Sequence, residues 1–470
     1  MRFSVSSYWP VVVVTAALLS LHPSALFAQD KSATGPATEK RFPKLQLPAG
    51  FQATLFACDP LIEYPSVIAI GPKPGSMFVA QDYMSGLGYN SPRRSEIKLV
   101  EDTDGDGYAD RSTLFAGDFN SIQGVTWHDG SVYVMHSPLL TSLRDEDGDG
   151  KADTRRDLLS GLGLSPKENP NLLHCANGVV AGHDGWLYLA LGDRGCSVQR
   201  PEGDRLILIG GGILRCRLDG RDLHIFATGL RNIYDVALDE GLNVFVRDNE
   251  NDGGDYMIRV CHSFFGADHG YPYHYYERPT EALPPLADLG RGSSAGGVCY
   301  LETAFPAEYR GSLFFCEWGR AVVRYDRKRS GSTFAKMSEH DFSAAAPSDP
   351  YGLKPTDVIV DRDGSLLVSD WADGQRPKRG RGRVYRITFG AAKPRVSSET
   401  EKDRGETASL DHWLARLDSP GYFARTEAQR QLEHRDAVGL DAVRRAMKDG
   451  KLGPLARRHA VWIIATNRGP

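Results

Sequence analysis

The sequence predicts an all-β protein, a six-bladed β-propeller, followed by a short α-helical segment. Six segments of the chain share one form: an apolar strand, a turn that usually contains Gly, and a second strand that closes on a polar residue. These segments recur at nearly constant intervals. The 470 residues also include 50 Gly and 27 Pro, as suits many short strands joined by tight turns.

The period of the repeat decides between the all-β architectures. The first valine of each segment serves as its marker, and successive markers are 58, 54, 57, 62 and 60 residues apart. A blade is a small sheet that needs neighbours to bury its faces, so a repeat of this length is typical of propeller blades. A sandwich or a barrel does not explain so regular an interval. The markers are Val67, Val125, Val179, Val236, Val298 and Val358.

The first 28 residues have the features of a signal peptide. Met1-Arg2 is a short positive region, and the apolar stretch from Val11 to Leu19 is too short to span a membrane comfortably. We expect cleavage after Ala28 and export to the periplasm or the extracellular space, with an uncleaved anchor as the alternative. No later stretch is apolar and long enough to cross a bilayer.

Composition divides the rest of the chain into a propeller and a helical segment. Residues 29–45 and 391–408 are polar and are predicted to be linkers on either side of a propeller at residues 46–390. At residues 409–470, short amphipathic segments with Arg-rich polar faces resemble the start of a HEAT-type array. So few repeats cannot bury their own core, which predicts either a prematurely ended chain or helices that dock on the propeller.

Charge and cysteine content exclude some classes of function. The net charge of −4 offers no electrostatic footprint for nucleic acid. The seven cysteines form no CxxC and no CxxCH motif, so the chain carries no attachment site for a c-type haem. Export would permit disulfides, but an odd number of cysteines leaves at least one thiol free, and the pairing cannot be read from the sequence.

Two acidic loops share a spacing that fits calcium. Each has carboxylates at positions 1, 3, 5 and 9 and a Gly at position 6, which matches the oxygen cage of a calcium loop. Thr113 and Arg156 replace the usual Glu at position 12 and no helices flank the loops, so solvated acidic turns are the alternative. Bound Ca²⁺ would stiffen the outer connections of the first two blades. The carboxylates are Asp102, Asp104, Asp106, Asp110, Asp145, Asp147, Asp149 and Asp153.

The candidate catalytic residues flank the third repeat. His174 precedes its first strand and Asp193 follows its second strand, so an antiparallel pair would bring the two side chains to the same edge. A carboxylate beside a histidine fixes the tautomer and stabilises the imidazolium, which is the usual arrangement of a general base. A turn histidine and a capping aspartate are the alternative interpretation.

Polar residues just before the marker valines predict a shared pocket at the propeller axis. Arg231 and Asn232 occupy in blade four the place that His174 occupies in blade three. Near a base, this arginine would polarise a substrate or hold an oxyanion; alternatively, it is a surface residue. Asp193 lies beside the set, which comprises Gln123, His174, Asn177, Arg231, Asn232, Lys354 and Thr356.

These motifs resemble those of the glucose/sorbosone dehydrogenase-like six-bladed propellers, which include the soluble quinoprotein glucose dehydrogenases. They are still more similar to the exported planctomycete-type "membrane-bound dehydrogenase" propellers, which commonly continue into HEAT repeats and a cytochrome c domain. The resemblance covers about residues 45–390. Besides His174 and Asp193, it is carried by the motifs GLRN from Gly229 and DNENDGGD from Asp248.

The resemblance implies hydride transfer from a sugar or alcohol carbon to pyrroloquinoline quinone (PQQ). His174 would remove the hydroxyl proton of the substrate with the support of Asp193. Arg231 and Asn232 would contact the quinone oxygens. A Ca²⁺ ion, held partly by backbone carbonyls of the loop Glu250-Asn251, would polarise the cofactor. A cytochrome c is the electron acceptor that the resemblance implies.

At one point the chain departs from the family's pattern. In the family, further basic residues from blades five and six clamp the carboxylates of the quinone. Here those blades offer only Arg320 and Lys354, and Thr356 stands where a second basic residue is expected. Two other functions stay open: a non-catalytic propeller that binds glycans or proteins, and a calcium-dependent, lactonase-like hydrolase. A His–Arg pair near the axis favours oxidation over hydrolysis.

Overall fold

In the part of the chain that the structure describes, six antiparallel sheets with four main strands each form the blades of a β-propeller. The structure is a computed structural model, and it describes residues 39–40, 42–85, 91–200, 202–251, 256–349, 352–371, 382–390 and 408–466. The all-β class and the six blades predicted from the repeat are confirmed. The predicted signal peptide and most of both predicted linkers lie outside the described residues.

Within each blade the strands follow one another from the axis outwards. The innermost strands are Pro65–Ile70, Ile122–His128, Ala176–Ala181, Ala237–Leu238, Ser294–Cys299 and Pro355–Val360. The second strands are Ser76–Gln81, Ser131–His136, Trp186–Leu191, Val244–Asp248, Leu313–Glu317 and Leu366–Asp370. The third strands are Ser95–Glu101, Leu139–Arg144, Gly211–Arg217, Ile258–Ser263, Ala321–Ser330 and Arg383–Phe389. The outermost strands are Arg111–Phe119, Thr154–Ser160, His224–Leu230, Ala287–Gly290, Thr333–Ala344 and Phe51–Ala57.

Blade three carries additional strands. Cys196–Gln199 and Arg205–Leu208 form a separate hairpin after its second strand, and Ala267–Asp268 adds a short parallel strand to its outer edge. We call the face of the propeller where the innermost strands begin the upper face, and the face where they end the lower face. Asp193, which follows the second strand of blade three, therefore lies on the upper face with His174.

The strand that starts the propeller also closes it. Phe51–Ala57 pairs antiparallel with Arg383–Phe389, so the outermost strand of blade six comes from the beginning of the propeller sequence. The innermost strands of blades six and one are joined as well, because the backbone N–H of Ile68 donates to Asp357 Oδ2 at 2.9 Å. This closure ties the first and last blades together, which lets six small sheets form one ring.

The apolar core of the propeller lies between the blades, in separate clusters at the interfaces of neighbouring sheets. Between blades one and two, for example, Phe78, Ile97 and Val125 pack together and are buried. Side chains alternate between the two faces of each strand, so each blade buries one face against each neighbour. At the axis the backbones approach closely: a Cβ atom on Gly124 would lie 2.4 Å from the carbonyl oxygen of Asn177, so only glycine fits there.

Helices lie outside the blades. A five-residue helix, α1 (Tyr273–Glu277), lies between the third and outermost strands of blade four. Residues 408–466 form four helices whose shared core includes Trp413 and Ile463. No helix among the described residues is long and apolar enough to cross a membrane. The assignment of these four helices to HEAT repeats stays a prediction; they are α2 (Leu410–Arg416), α3 (Tyr422–Glu433), α4 (Asp436–Lys448) and α5 (Pro454–Thr466).

The helical segment docks on the lower face of the propeller. The Tyr422 hydroxyl lies 2.9 Å from His183 Nδ1, in the turn after the innermost strand of blade three. Arg430 pairs with Asp129 in the corresponding turn of blade two at 2.9 Å. Docking, one of the two alternatives considered from the sequence, is therefore what the structure shows. The four helices bury a core of their own, and Tyr422 and Phe423 of α3 also pack against apolar clusters of the propeller.

The docked helices are expected to loosen in acid. Burial, together with nearby positive charge, lowers the pKa of His183 to about 4 and that of His459 to about 3. Between pH 6.5, the ordinary pKa of histidine, and pH 4, the unfolded chain binds protons that the folded chain does not, so the free energy of unfolding falls as the pH falls. We expect each of these two histidines to contribute a loss on the order of 2 kcal/mol between pH 7 and pH 5.

Urea denaturation at both pH values measures this loss. The contribution of His183 is the part of the pH dependence that disappears in a His183→Gln variant. His340→Gln, at an exposed position, serves as the control and keeps the wild-type pH dependence. Equal pH dependence in wild type and His183→Gln would contradict the assignment.

All seven cysteines are buried as free thiols. Burial raises the pKa of the Cys299 thiol to about 12 and that of Cys196 to about 11. A thiol with a raised pKa holds little of the reactive thiolate at neutral pH, so Cys299 and Cys196 behave as small apolar groups. The seven cysteines are Cys58, Cys175, Cys196, Cys216, Cys261, Cys299 and Cys316.

Candidate functional site

His174 and Asp193 lie side by side on the upper face. His174 Nδ1 and Asp193 Oδ1 are 3.0 Å apart, although nineteen positions separate the residues. The hairpin of blade three brings them together as the sequence predicts, with Ala176 paired to Leu191 next to the site. The two side chains are 22% and 23% exposed, so a substrate can reach them. The backbone of His174 has a φ of 60°, a left-handed conformation that is uncommon for histidine and concentrates at functional sites.

The tautomer of His174 follows from the charge of its partner. Burial raises the pKa of Asp193, but the hydrogen bond from His174 and the charges of His174 and Arg231 more than offset this, so the net shift is downwards. Asp193 therefore stays ionised and only accepts hydrogen bonds. Nδ1 of His174 must then carry the hydrogen that it donates, which leaves Nε2 of the neutral ring to accept a proton.

Arg231 and Asn232 reach the same place from blade four. Arg231 is 5% exposed, and its Nε lies 3.8 Å from Asp193 Oδ2. The amide oxygen of Asn232 accepts a hydrogen bond of 2.9 Å from Asn177 Nδ2, which fixes the amide so that its own Nδ2 is the remaining donor. Arg231 and Asn232 thus bring hydrogen-bond donors next to the His174–Asp193 pair.

A glycine allows this close approach of the two blades. Gly192 forms a backbone bridge with Asn232. A Cβ atom at Gly192 would lie 2.5 Å from both the carbonyl oxygen of His174 and the side-chain oxygen of Asn232. Any larger residue would push these groups apart, so the glycine between Leu191 and Asp193 is part of how the site is built.

Asp248 holds the Arg231-Asn232 segment from below. It is fully buried, and its carboxylate accepts the backbone N–H groups of Arg231 at 3.0 Å and Asn232 at 2.9 Å. The hydroxyl of Tyr256 and the guanidinium of Arg259 also bind this carboxylate. Because Asp248, Tyr256 and Arg259 are buried, the carboxylate and its donors fix the backbone that presents Arg231 and Asn232.

Asp248 and Asp193 belong to a recurring set of carboxylates on the upper face. Five of the six blades carry one at the end of the second strand or within two residues of it: Asp82, Asp193, Asp248, Glu317 and Asp370. In blade one, Asp82 accepts from Gln123 Nε2 at 2.7 Å, so Gln123 joins blades one and two rather than facing a ligand. Sequence reasoning identified only Asp193 among them, although an acidic residue at the same place of each repeat was the available signal.

The remaining predicted basic residues lie on the same face in blades five and six. Lys354 Nζ lies 5.9 Å from the ring centre of Trp318. Arg320 pairs with Asp341 at 2.7 Å and is half exposed. The hydroxyl of Thr356 donates to the carbonyl oxygen of Pro65 at 2.8 Å and is buried. Lys354 therefore stands over an aromatic ring, Arg320 is engaged by a carboxylate, and Thr356 links blades six and one.

The loop predicted to hold calcium near the cofactor begins directly after Asp248. Among the described residues, Glu250 Oε2 is buried without a hydrogen-bond partner. A buried carboxylate oxygen without a donor is costly unless a cation is bound, so this atom fits a calcium ion in the loop. Asn251 donates from Nδ2 to the hydroxyl of Tyr276 at 2.9 Å. The rest of the DNENDGGD motif, residues 252–255, lies outside the described residues.

The two acidic loops have matching conformations. Asp102 accepts the backbone N–H groups of Gly105 and Gly107 at 2.7 and 3.0 Å, and Asp145 accepts the equivalent pair at the same distances. In each loop, side-chain oxygens from positions 1, 3 and 5 lie within 4.8 Å of one another. The position-nine residues, Asp110 and Asp153, bind loop backbone N–H groups instead.

Each acidic loop also bonds to the outermost strand of the preceding blade. In the first loop, the backbone N–H of Ala109 donates to Phe56 in blade six at 2.8 Å. In the second loop, that of Ala152 donates to Phe115 in blade one at 2.9 Å. The loops thus connect neighbouring blades at their outer edges, which is where the sequence placed them.

A cavity of about 1440 Å³ opens on the other side of the molecule. It lies at the lower face, between the ends of the innermost strands and the docked helices, and its lining includes Val179, Asp357, Tyr422 and Arg430. None of the upper-face residues His174, Asp193 and Arg231 lines it. A cavity of this size is a candidate ligand site, but His174, Asp193 and Arg231 are at the opposite end of the strands.

Solved structures with this fold include sugar dehydrogenases. An oxidoreductase (glucose dehydrogenase) from Thermus thermophilus is 19% identical with a TM-score of 0.54 and covers 72% of this chain and 100% of its own. The PQQ-bound aldose sugar dehydrogenase of Streptomyces coelicolor is 16% identical with a TM-score of 0.52, and the match covers 73% of this chain and 99% of that protein. The holo PQQ domain of Coprinopsis cinerea pyranose dehydrogenase is 14% identical with a TM-score of 0.53, and the match covers 74% of this chain and 97% of that domain. These structural similarities establish the fold, and the predicted resemblance to sugar dehydrogenase propellers is confirmed for the fold.

The sequence itself matches one family. No curated protein is significantly similar to the chain. The family's sequence profile matches residues 37–388, which contain all six blades and every residue of the upper face described above. Because this match extends over well more than half of the chain, the protein belongs to the family described as "domain of unknown function (DUF7133)".

Proposed function

We propose that the protein is an exported quinoprotein-type oxidoreductase that oxidises a hydroxyl-bearing carbon of a sugar or an alcohol, with PQQ as hydride acceptor. The observation that carries the proposal is the His174–Asp193 pair, 3.0 Å apart, with Arg231 beside it on the accessible upper face. The fold shared with sugar dehydrogenases supports it. A separate redox protein such as a cytochrome c would take the electrons onward.

In this proposal the chain's own residues position the substrate and move one proton. Asp193 holds Nδ1–H of His174, so Nε2 faces the substrate hydroxyl and accepts its proton. The imidazolium that forms is stabilised by the ionised carboxylate of Asp193. Arg231 and the amide Nδ2 of Asn232 are donors fixed by Asp248 and Asn177, so they stabilise negative charge without reorganising.

The donor set fits the reactive end of a quinone. Arg231 and Asn232 would hold its oxygens, and Lys354 with the ring of Trp318 would face its carboxylates and ring plane. Arg320 is committed to Asp341, so it would contribute at the periphery. Carbonyls of Glu250 and Asn251 and the buried Glu250 carboxylate would hold Ca²⁺. When bound, the quinone supplies the hydride acceptor and Ca²⁺ polarises it.

The hydrolase alternative fits the same residues less well. A lactonase-like centre would need Asn177, Asn232 and Asp193 as ligands of a central calcium. In this chain the two asparagine side chains bond to each other at 2.9 Å, and Asp193 accepts from His174. The side-chain oxygens of Asn232 and Asp193 are thus engaged in orienting a donor and a base, which supports oxidation.

Reconstitution tests the proposal. The purified protein is incubated with PQQ and Ca²⁺, desalted, and assayed for reduction of an artificial dye with a panel of aldoses and alcohols. We expect retained quinone absorbance and dye reduction with at least one member of the panel. The absence of both retained quinone and dye reduction would contradict the proposal.

We also propose that the two acidic loops bind structural Ca²⁺ at their position 1, 3 and 5 carboxylates. The two loops bond to the outermost strands of neighbouring blades, so bound ions would stabilise the ring of six blades.

We expect millimolar Ca²⁺ to raise the melting temperature by a few degrees and chelator to reverse this rise, which corresponds to about 1–2 kcal/mol of the free energy of unfolding. Asp145→Asn should remove about half of the rise, whereas Asp118→Asn, at an exposed position outside the loops, should leave it unchanged. The proposal fails if Ca²⁺ changes no melting temperature.

A further inference from the structure

A run of tyrosines stands next to the candidate site on the upper face. Four of the 19 tyrosines lie within the six residues from Tyr271 to Tyr276, the segment that contains α1. The first of them lies beside the site, because the positive charge of Arg231 is close enough to the phenol of Tyr271 to act on its pKa, which Arg231 lowers and burial raises by more. This density of tyrosine is visible in the sequence itself.

The site holds this segment at both ends. The ring of Tyr271 packs on that of Tyr256 with 4.6 Å between ring centres, and Tyr256 binds the Asp248 carboxylate. At the other end, the hydroxyl of Tyr276 accepts from Asn251 Nδ2 at 2.9 Å. The two anchors are Arg231, assigned above to the quinone oxygens, and Asn251, assigned above to the calcium loop. The segment is therefore tied at both ends to residues of the candidate site.

Aromatic stacking makes the segment rigid. Tyr275 packs edge-on against Tyr256 at 4.5 Å and against Tyr276 at 5.1 Å between ring centres. Arg259 lies 5.1 Å from the ring centre of Tyr275. A tyrosine held in this way offers contact area with little loss of side-chain entropy on binding.

Two of these rings nevertheless face solvent. Tyr273 is 69% exposed and Tyr276 is 45% exposed. Large aromatic side chains left exposed beside a reactive group are typical of a recognition surface. The helix α1 has only five residues, so the surface is too small for a stable protein interface, which needs about 800 Å² from each partner. A ligand narrower than a protein is what the surface fits.

We infer that the segment Tyr271–Tyr276, here called the tyrosine wall, binds the sugar rings next to the ring that reacts at His174. This inference rests on the proposed function for the reacting ring and names the substrate class: an oligosaccharide or the end of a glycan chain. A pyranose has one apolar C–H face and a rim of hydroxyls, which matches an aromatic ring with a polar tip. A single sugar at His174 leaves Tyr273 uncovered, whereas a chain that runs outward covers it.

Calorimetric titration of the protein without quinone tests this inference. The probes are glucose, cellotetraose, maltotetraose and xylotetraose. We expect at least one tetrasaccharide to bind about tenfold or more tightly than glucose, since each further sugar ring that stacks on an aromatic side chain adds to the affinity. Tyr273→Ala should weaken that tetrasaccharide about tenfold and leave glucose unchanged. Tyr273→Phe keeps the ring and should keep most of the affinity.

Phe265→Ala is the matched control. Phe265 is 67% exposed in the same blade, but it follows the lower end of the strand Ile258–Ser263, away from the site. This variant should bind the tetrasaccharide as wild type does. Equal affinities for glucose and all three tetrasaccharides, or unchanged tetrasaccharide binding by Tyr273→Ala, would overturn the inference.

The binding experiment separates this inference from the proposed oxidation. Tetrasaccharide binding that depends on Tyr273, without quinone-dependent turnover, supports the tyrosine wall and removes the proposed reaction. Turnover of glucose without any preference for tetrasaccharides supports the proposed oxidation and rules out the tyrosine wall as a binding surface. With the reconstituted enzyme, Tyr273→Ala should raise KM for the tetrasaccharide and leave KM for glucose unchanged.

Discussion

Replacing His174 with alanine is expected to lower turnover by about 10²–10⁴-fold, the usual contribution of a positioned general base. His174 is the only group beside Asp193 on the described upper face whose nitrogen can take the substrate proton. Quinone binding should remain within a few-fold of wild type, because Arg231, Asn232 and Lys354 are retained. Dye reduction under saturating quinone and sugar measures turnover, and retained absorbance after desalting measures binding.

Asp193→Asn sharpens this prediction. An amide at this position can donate to Nδ1 and so stabilise the wrong tautomer of His174, which lowers turnover with little change in quinone binding. His340→Ala, at an exposed position in the outermost strand of blade five, is the control and should behave as wild type. If His174→Ala keeps more than a tenth of wild-type turnover, His174 is not the base.

Asp248→Ala is expected to cost about 3–5 kcal/mol of the free energy of unfolding, the usual effect of removing one partner from a buried ion pair. Asp248 and Arg259 are both almost completely buried, and Arg259 would lose its carboxylate in the variant. The backbone N–H groups of Arg231 and Asn232 would lose their acceptor as well. Urea denaturation of the wild type and the variant measures the difference.

The control for this prediction is an exposed ion pair. Asp118, whose side chain is 85% exposed, lies 3.4 Å from Arg94, and Asp118→Ala should change the free energy of unfolding by less than about 1 kcal/mol. If Asp248→Ala folds, it should also bind quinone weakly, because Arg231 and Asn232 are no longer fixed. A loss for Asp248→Ala no larger than that for Asp118→Ala would contradict the assigned role.

The fold could be predicted because its signal is periodic and local. Each repeat carries its own strands, its Gly turn and its marker valine, so six independent segments point to the same architecture. The His174–Asp193 contact was predictable for a related reason. Both residues flank a single hairpin, and the register of an antiparallel pair fixes which ends meet.

Contacts between distant segments could not be predicted in the same way. Arg320 was expected at the cofactor, and its pairing with Asp341 depends on a strand pair of blade five that local pattern does not reveal. Docking of Tyr422 on His183 joins residues far apart in the chain, and the repeat pattern does not predict such a contact. The support of Arg231 by Asp248 is of the same kind, since it depends on how one blade folds back on its own entry segment.

The most direct test of the account is whether substrate reduces the bound quinone. Protein reconstituted with PQQ and Ca²⁺ is mixed without oxygen or dye with the most active sugar of the panel, and the quinone absorbance is followed in a single turnover. We expect rapid loss of the oxidised quinone spectrum in the wild type, and a rate of this loss that is at least about 10²-fold lower in His174→Ala. Bound quinone that stays oxidised in the wild type with every sugar and alcohol offered would contradict it.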